Sequence, residues 1–284
     1  MRFRQAVVLG AGVMGAQIAA HFANAGLRVR LLDVSRDAAR DGLDRARSLK
    51  PDPFFTPEAA ALIQTGGFDE DLAALGDADW ILEAVVEKLD VKQALFARVD
   101  AVRRADAVVS SNTSGIPLAS IAAGRSEGFR RHWLGTHFFN PPRYLHLLEL
   151  IPTADTDPAV LRAVTAFADL RLGKGVVLAK DVPGFIANRI GMFGMTQIFR
   201  ALESGELTIE EVDAITGPAI GRPKSATFRT VDIAGVDVLA HVARGLGLEL
   251  PPFVNDMVSR GMTGAKAGRG FYQKSGDEIL TLDP

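Results

Sequence analysis

The sequence of 284 residues contains no cysteine. This absence excludes disulfide bonds, thiolate zinc ligands and a cysteine nucleophile, and it fits a reducing compartment. The sequence also has no uninterrupted apolar run long enough to cross a bilayer, so we expect a soluble, cytoplasmic protein without membrane insertion. The N-terminal stretch MRFRQAVVLGAGVMG has the basic start and apolar run of a signal peptide. We reject that interpretation because glycines break the run and no small-residue cleavage site precedes polar sequence.

Neither sign of charge dominates the chain, which has 32 Lys and Arg against 34 Asp and Glu and a formal net charge of −2. This balance gives no reason to expect nucleic acid or an anionic membrane as a partner. The composition, 48% hydrophobic and 23% charged, is that of a globular protein. The length suffices for one large domain or two ordinary ones.

The first forty residues predict a dinucleotide-binding turn. A short buried strand, QAVVL, is followed by Gly10, Gly12 and Gly15 in the pattern Gly-x-Gly-x-x-Gly, then by an apolar helix and a second strand that ends at Asp33. Gly10 permits the tight turn, Gly12 lets the backbone approach a pyrophosphate, and Gly15 lets the helix pack closely on the strand. The helix N-terminus supplies free N–H groups for the phosphates.

Asp33 lies where it can accept hydrogen bonds from an adenosine ribose. A 2′-phosphate at that position would meet a like charge, so NAD is favoured over NADP. Arg36 is discordant because an arginine just past the acid can bind a 2′-phosphate, but a solvated position at a helix start is the preferred interpretation. A glycine-rich turn used for packing alone is the alternative, and the correctly placed acid argues against it.

Strands and helices keep alternating up to about residue 181, which predicts an α/β fold with a Rossmann-type doubly wound parallel sheet. From Pro183 onward only helices are predicted, one of them opened by a capping box of Thr208 and Glu211. We therefore expect an NAD-binding domain over residues 1–181 and an all-helical C-terminal domain over residues 182–284. Residues 35–76 are the least regular part, predicted as a charged helix and a loop with one short helix. The basic residues of that helix form a solvated face or, alternatively, an arm for an anionic substrate.

Polar residues follow several predicted strands and should line one crevice, because ligands bind beyond the carboxyl ends of the strands. They are the glycine turn, Glu87 and the SNTSG segment, residues 111–115. Ser114 could instead cap a helix starting near Pro117. Asn188 lies one turn into the first helix of the second domain, where an ordinary early-helix role is the alternative.

His137 and Glu149 stand in apolar runs on either side of an Asn-Pro-Pro-Arg break. Residues 144–151 are predicted as a strand, whose alternation places Glu149 on one face with Leu145, Leu147 and Ile151. An unpaired buried carboxylate is costly, so we expect Glu149 to have a partner, and His137 is the candidate. If Glu149 accepts a hydrogen bond from one ring nitrogen, the other becomes an outward-facing base, as a dehydrogenase needs. A purely structural pair is equally compatible with the spacing, but a catalytic role is favoured because the pair occurs together with a predicted NAD site.

The chain resembles the L-3-hydroxyacyl-CoA dehydrogenases over nearly its whole length. The segments that carry the resemblance are GAGVMG, ILEAVVEKLDVK, SSNTSG, THFFNPP, LLELI, DVPGFIANRI and the closing GRGFY. PPRYLHLLELIP and ITGPAIGRPKSATFRTVDIAGVD are most similar to the bacterial fatty-oxidation type in which this dehydrogenase precedes an enoyl-CoA hydratase domain. The arm between Asp33 and Gly76 does not align with the helical hairpin that contacts CoA in better-known members, so no CoA-contacting residue is assigned.

The resemblance implies NAD-dependent oxidation of (S)-3-hydroxyacyl-CoA to 3-oxoacyl-CoA in fatty-acid β-oxidation. In this family His137 would be the general base, Glu149 would orient it, and Ser114 and Asn188 would bind the oxygen functions of the substrate. The implied cofactor-binding residues are Gly10, Gly12, Met14, Gly15, Asp33, Glu87, Lys92 and Asn112, with Glu87 and Lys92 near the nicotinamide half. The helical domain would close over the acyl-CoA substrate and form a homodimer, and the chain could be part of a longer protein with a hydratase domain.

Two other classes remain open. A sugar-acid or β-hydroxyacid dehydrogenase of the same superfamily can share the Ser, His, Glu and Asn pattern, although the hydroxyisobutyrate type lacks its catalytic-lysine helix here and the UDP-sugar type needs a cysteine. A non-catalytic NAD-binding module would explain the glycines and Asp33. It would give no reason for Ser114, His137, Glu149 and Asn188 to occur together.

Overall fold

The computed structural model describes residues 1–276 and 278–282 and divides the chain into two compact units, Met1–Phe185 and Ile186–Pro284. The first unit contains eight strands: β1 (Gln5–Leu9), β2 (Arg28–Asp33), β3 (Ile63–Gly67), β4 (Trp80–Glu83), β5 (Val108–Ser111), β6 (Trp133–Phe138), β7 (Leu147–Pro152) and β8 (Gly175–Leu178). Its α-helices are α1 (Val13–Asn24), α2 (Arg36–Ser48), α3 (Leu89–Val102), α4 (Leu118–Ile121), α5 (Glu127–Arg131) and α6 (Pro158–Leu170).

The eight strands form one sheet in the order β3-β2-β1-β4-β5-β6-β7-β8. Alternation along β1 sends Val8 into a core cluster shared with Ile18 and Phe22 of α1, and Val7 into a second cluster shared with Phe96 of α3. Helices therefore cover both faces of the sheet, as the doubly wound pattern requires. The prediction of a Rossmann-type α/β domain is confirmed.

One pair of strands departs from the predicted parallel sheet, because β6 and β7 are antiparallel. The connection between them, residues 139–146, is too short for the crossover that a parallel pair needs. The strand predicted over 144–151 also begins later, at Leu147. Tyr144 and Leu145 lie instead in the turn, where both backbone amides donate to the Pro141 carbonyl.

Residues 35–76 contain a strand that the sequence analysis missed. The charged helix is present as α2, and short 3-10 helices span Pro57–Leu62 and Leu72–Asp77. Between them β3, with the sequence IQTGG, pairs with β2 at the edge of the sheet. The sequence IQTGG contains two glycines and two polar residues and so lacks the apolar alternation from which a strand is predicted. The strand forms because it pairs with β2 at the edge of the sheet.

The second unit is helical, as predicted, with α7 (Ala187–Glu203), α8 (Ile209–Thr216), α9 (Phe228–Ala234), α10 (Val236–Gly245) and α11 (Pro252–Ser259). The capping box of Thr208 and Glu211 is formed at the start of α8. An unpredicted addition is the antiparallel hairpin β9 (Tyr272–Ser275) and β10 (Glu278–Thr281). No helix among the residues that the structure describes is both long and apolar enough to span a membrane.

The closing GRGFY segment has a structural use in the second unit. The Asp232 carboxylate accepts hydrogen bonds from the amides of Phe271 and Tyr272, at 2.9 and 2.8 Å. A Cβ on Gly270 would lie 2.0 Å from Asp232 Oδ1, so only glycine leaves room for this carboxylate. The contact holds the start of the hairpin on α9, where Phe271 packs against Phe228 with ring centroids 4.6 Å apart.

Candidate active site

The glycine turn between β1 and α1 brings backbone very close to backbone. Gly10 has a φ of +100°, and a Cβ on it would lie 2.6 Å from the Ala84 carbonyl oxygen. A Cβ on Gly15 would lie 1.8 Å from the Gly10 carbonyl oxygen. A Cβ on Gly12, in contrast, would meet no atom within 4 Å. Gly10 and Gly15 are therefore required for packing, whereas Gly12 lies beside open space at the N-terminus of α1, which suits the close approach of a pyrophosphate.

Asp33 at the end of β2 binds the glycine turn directly. Its carboxylate oxygens accept hydrogen bonds from the amides of Ala11, at 2.6 Å, and Val34, at 2.7 Å. A cavity of about 510 Å³ begins there; among its lining residues are Gly10, Gly12, Asp33, Val34, Phe68 and Val86. The cavity is mainly apolar, with Asp33 and Arg98 as its charged lining residues. It fits the adenosine half of a dinucleotide, because each carboxylate oxygen of Asp33 can accept a further hydrogen bond.

Lys92 on α3 is buried between two carboxylates. Its ammonium lies 2.5 Å from Glu83 Oε1 and 3.1 Å from Glu87 Oε2. Burial raises the pKa of the Glu83 carboxyl, against the opposing effect of Lys92. Burial acts in the same direction on Glu87, but there Lys92 and the hydrogen bonds from Thr113 and Ser114 prevail and lower the pKa. Glu83 was not predicted as a site residue, although a lone carboxylate at the end of an apolar strand indicates one.

The loop after β5 is held by Glu87. Glu87 Oε1 accepts hydrogen bonds from the Thr113 hydroxyl at 2.5 Å and the Ser114 amide at 2.9 Å, and the Ser114 hydroxyl is 3.5 Å away. Ser114 does not cap α4, because the amides of Leu118 and Ala119 donate to the Asp181 carboxylate at 2.7 and 3.0 Å. The Ser114 side chain is partly exposed beside this loop, where a ligand oxygen can reach it.

His137 and Glu149 face each other across β6 and β7. The two residues are direct register partners, and His137 Nδ1 lies 2.7 Å from Glu149 Oε2. Both are buried, with 5% and 0% of their surfaces exposed. The His137 ring also packs against Phe139 and Phe185, with centroids 4.5 and 5.4 Å away. The carboxylate fixes the tautomer with hydrogen on Nδ1, which leaves Nε2 as the basic nitrogen.

Further hydrogen bonds fix the ends of these strands. Asn112 Oδ1 accepts from the Phe138 amide at 2.9 Å, next to His137. Gln17 on α1 donates to the Asn140 side chain at 3.0 Å, so the helix of the glycine turn is tied to the β6–β7 connection. Sequence reasoning missed Gln17, because nothing in the local pattern indicates a partner 123 positions away.

The remaining site residues are Met14 and Asn188. Met14 is partly buried and packs on the core cluster under α1. Asn188 is the second residue of α7 in the second unit. The helix begins at Ala187, and not at Pro183 as predicted, because Gly184 and Phe185 adopt positive φ values of 71° and 46°. Within the first unit, the structure forms three groups of site residues. Asp33 binds the glycine turn, Glu87 binds both Lys92 and the Ser114 loop, and His137 binds Glu149.

Comparisons with known proteins agree with this geometry. Residues 5–182 match the model of the 3-hydroxyacyl-CoA dehydrogenase NAD-binding domain, and residues 184–274 match that of the 3-hydroxyacyl-CoA dehydrogenase C-terminal domain. The chain is 48% identical to a probable 3-hydroxyacyl-CoA dehydrogenase of Deinococcus radiodurans over 293 residues, 98% of this chain and 85% of the relative. It is 47% identical to a probable 3-hydroxyacyl-CoA dehydrogenase of Bacillus subtilis over 312 residues, 99% of this chain.

The chain spans only 40% of the length of the Bacillus subtilis relative. Among solved structures, the crystal structure of Mycobacterium tuberculosis FadB2 superposes with a TM-score of 0.85 at 33% identity, covering 97% of this chain and 100% of that one. The predictions of NAD as cofactor and of an oxidoreductase are confirmed by these matches. The chain belongs to the 3-hydroxyacyl-CoA dehydrogenase family.

Proposed function

We propose that the chain oxidises (S)-3-hydroxyacyl-CoA to 3-oxoacyl-CoA with NAD, within fatty-acid β-oxidation. The observation that carries the proposal is the hydrogen bond between His137 and Glu149, in a unit whose glycine turn and Asp33 fit a dinucleotide. The substrate class comes from the relatives, which are named as probable 3-hydroxyacyl-CoA dehydrogenases. A non-catalytic NAD-binding module would not need a base oriented by a buried carboxylate.

In the proposed reaction His137 Nε2 removes the proton of the substrate's 3-hydroxyl group. NAD, held by the glycine turn and Asp33, would supply the acceptor for the hydride that leaves the same carbon. Glu149 holds the Nδ1–H group and stabilises the imidazolium that forms, so the proton remains on His137 until solvent removes it. In the reverse direction the same imidazolium protonates the 3-oxo group.

Ser114 and Asn188 would hydrogen-bond the oxygen functions of the substrate, as the resemblance implies. The partly exposed Ser114 hydroxyl beside the Glu87-bound loop supports its part of this assignment. Asp33 would bind the adenine ribose, and Gly12 and Met14 would lie near the pyrophosphate. Lys92, Glu87 and Asn112 would shape the nicotinamide half by fixing the loop after β5 and the end of β6.

The proposal also assigns a function to each predicted domain. Residues 1–181 would bind NAD, and residues 182–284 would close over the acyl-CoA and form a homodimer. On α7, Ile190 and Phe193 expose 68% and 67% of their surfaces, which is compatible with a partner subunit. A cytoplasmic location and a hydratase domain in a longer chain are parts of the same proposal.

The test is consumption of NADH with acetoacetyl-CoA, free acetoacetate and a long-chain 3-oxoacyl-CoA offered in parallel. We expect consumption with the CoA esters only, and their ratio would give the chain-length preference. Consumption with free acetoacetate would favour a hydroxyacid or sugar-acid dehydrogenase. NADH binding without consumption of any substrate would favour the non-catalytic module.

A further inference from the structure

The turn that follows β3 carries three consecutive acids, Asp69, Glu70 and Asp71, after Gly66 and Gly67. Both glycines make room for carboxylates that fold back onto the end of the strand. A Cβ on Gly66 would lie 2.5 Å from Asp71 Oδ2, and a Cβ on Gly67 would lie 1.9 Å from Glu70 Oε2. The Gly67 amide also donates to Asp71 Oδ2 at 3.0 Å. The lack of a side chain at Gly66 and the hydrogen bond from the Gly67 amide therefore fix the position of the Asp71 carboxylate.

This turn lies directly beside the acid that would bind the ribose. In the sheet, Asp33 and Gly67 are register partners, and the Phe68 amide donates to the Asp33 carbonyl at 2.8 Å. Phe68 and Asp33 line the same cavity. A substituent on the ribose bound by Asp33 would thus lie near the carboxylates of the turn.

Arg36 is the residue past the acid that could bind a 2′-phosphate, and Asp71 engages it. Arg36 Nη2 lies 3.0 and 3.3 Å from the two carboxylate oxygens of Asp71. The Arg36 side chain is 63% exposed and that of Asp71 only 20%. An exposed ion pair adds little to the stability of a fold, so stabilising the fold is a weak explanation for this arrangement.

We propose that Asp71 is a cofactor-selectivity residue, which holds Arg36 in an ion pair and so weakens the binding of a 2′-phosphorylated dinucleotide beyond the effect of Asp33. Phosphate binding would require Arg36 to leave its carboxylate, and the phosphate would then approach Asp33 and Asp71 together. The inference rests on the proposed function only in that the first unit binds NAD.

The test compares the dissociation constants of NADH and NADPH, measured by fluorescence titration of the full chain and its Asp71→Asn variant. Asparagine keeps an oxygen for the Gly67 amide but removes the charge that holds Arg36. We expect NADPH to bind about threefold to fivefold more tightly to Asp71→Asn, because release from an exposed ion pair can contribute no more than that. NADH affinity should stay within about twofold, since the ribose hydroxyls do not need Arg36.

Two controls separate release of Arg36 from a general charge effect. The double variant Arg36→Ala/Asp71→Asn should lose the gain in NADPH affinity. Asp44→Asn removes the partner of Arg47 on the same helix, at 3.2 Å, and should leave the ratio of affinities unchanged. A folded Asp71→Asn protein with the wild-type ratio, or a double variant that keeps the gain, would overturn the proposal. Failure of the wild type to bind NADH would contradict the proposed function and this inference together.

Discussion

Two buried histidines of the first unit have different surroundings. His137 Nδ1 faces the Glu149 carboxylate at 2.7 Å. His21 Nε2 contacts the Leu172 carbonyl at 3.1 Å, and its Nδ1 has no hydrogen-bond partner among the described residues. Burial, aided by the charge of Lys174, lowers the pKa of His21 to about 3. His21 is thus a neutral core residue, whereas His137 has a carboxylate as the partner of its Nδ1.

Glu149→Gln should separate chemistry from folding at this pair. The amide keeps the shape of the side chain and can accept from Nδ1, but it cannot stabilise an imidazolium. We expect turnover to fall by about 10²- to 10⁴-fold, because the carboxylate that orients the histidine and stabilises its charged form is lost. The melting temperature should stay near that of the wild type, with Glu127→Gln on α5 as an exposed control. A protein that simply unfolds would show that the pair is structural.

His21→Leu tests the other histidine through pH. In the unfolded chain a histidine takes up its proton near pH 6.5, but folded His21 does so only near pH 3. Wild-type stability should therefore fall as pH decreases from 6.5 towards 3, by up to about 1.4 kcal/mol per pH unit from this residue. The melting temperature of His21→Leu should depend less on pH in this window. Parallel curves for the two proteins would contradict the assignment.

The side-chain partners in the site were only partly predictable from sequence. His137 and Glu149 could be paired because both interrupt apolar runs that lie close together along the chain. Glu83, Gln17 and the Asp181 cap on α4 could not be paired with their partners. The Asp181 contact joins positions 63 residues apart, and only the folded sheet brings them together. The roles of the site residues remain predictions.

At the scale of elements, a residue next to β8 holds the connection between β6 and β7 in place. Lys174, just before β8, donates to the carbonyls of Pro142 and Leu145, the latter at 2.8 Å. The connection is also held from residues 52–54, because Arg143 donates to the Asp52 carbonyl at 2.6 Å and to that of Phe54. These contacts fix the segment that joins the strands of His137 and Glu149.

Lys174→Met should weaken this connection. We expect turnover to fall by about tenfold or more, since small misplacements of reacting groups are costly.

Burial lowers the pKa of Lys174 to about 8, from 10.5 in an unfolded chain. The cost of burying the ammonium is present below pH 8 and disappears between about pH 8 and 10.5. The wild type should therefore gain stability relative to Lys174→Met as pH rises through this window. A constant difference in melting temperature would contradict the assignment.

The elements themselves follow from sequence where local pattern and tertiary contacts agree. β1 and β2 were predicted within a residue, and α1 was predicted as the apolar helix between them, because apolar strands and glycines at the turns define these elements. β3 and the β9–β10 hairpin were missed, since β3 consists of IQTGG at a sheet edge and the hairpin is short and exposed. The start of α7 was predicted too early, because the positive φ of Phe185 cannot be inferred from its residue type.

At the scale of the whole molecule, the second unit exposes apolar side chains on α7. Ile190 and Phe193 are each more than two-thirds exposed, at 68% and 67%. We expect a homodimer, and Phe193→Asp should convert it to monomer by placing a charge in an apolar interface. Sedimentation velocity at several concentrations would measure this, with exposed Glu206→Gln as a control. A wild-type monomer at all concentrations would contradict the predicted dimer.

The most direct test of the proposed chemistry is turnover of acetoacetyl-CoA with NADH by His137→Ala, measured beside NADH binding to the same protein. We expect turnover to fall by about 10²- to 10⁴-fold, the usual contribution of a general acid–base residue. NADH affinity should stay within about twofold, because the contacts proposed to hold NADH are made by the glycine turn and Asp33 and not by His137. Retained turnover would contradict the assignment of His137 as the base, and so would a loss of turnover explained by lost NADH binding.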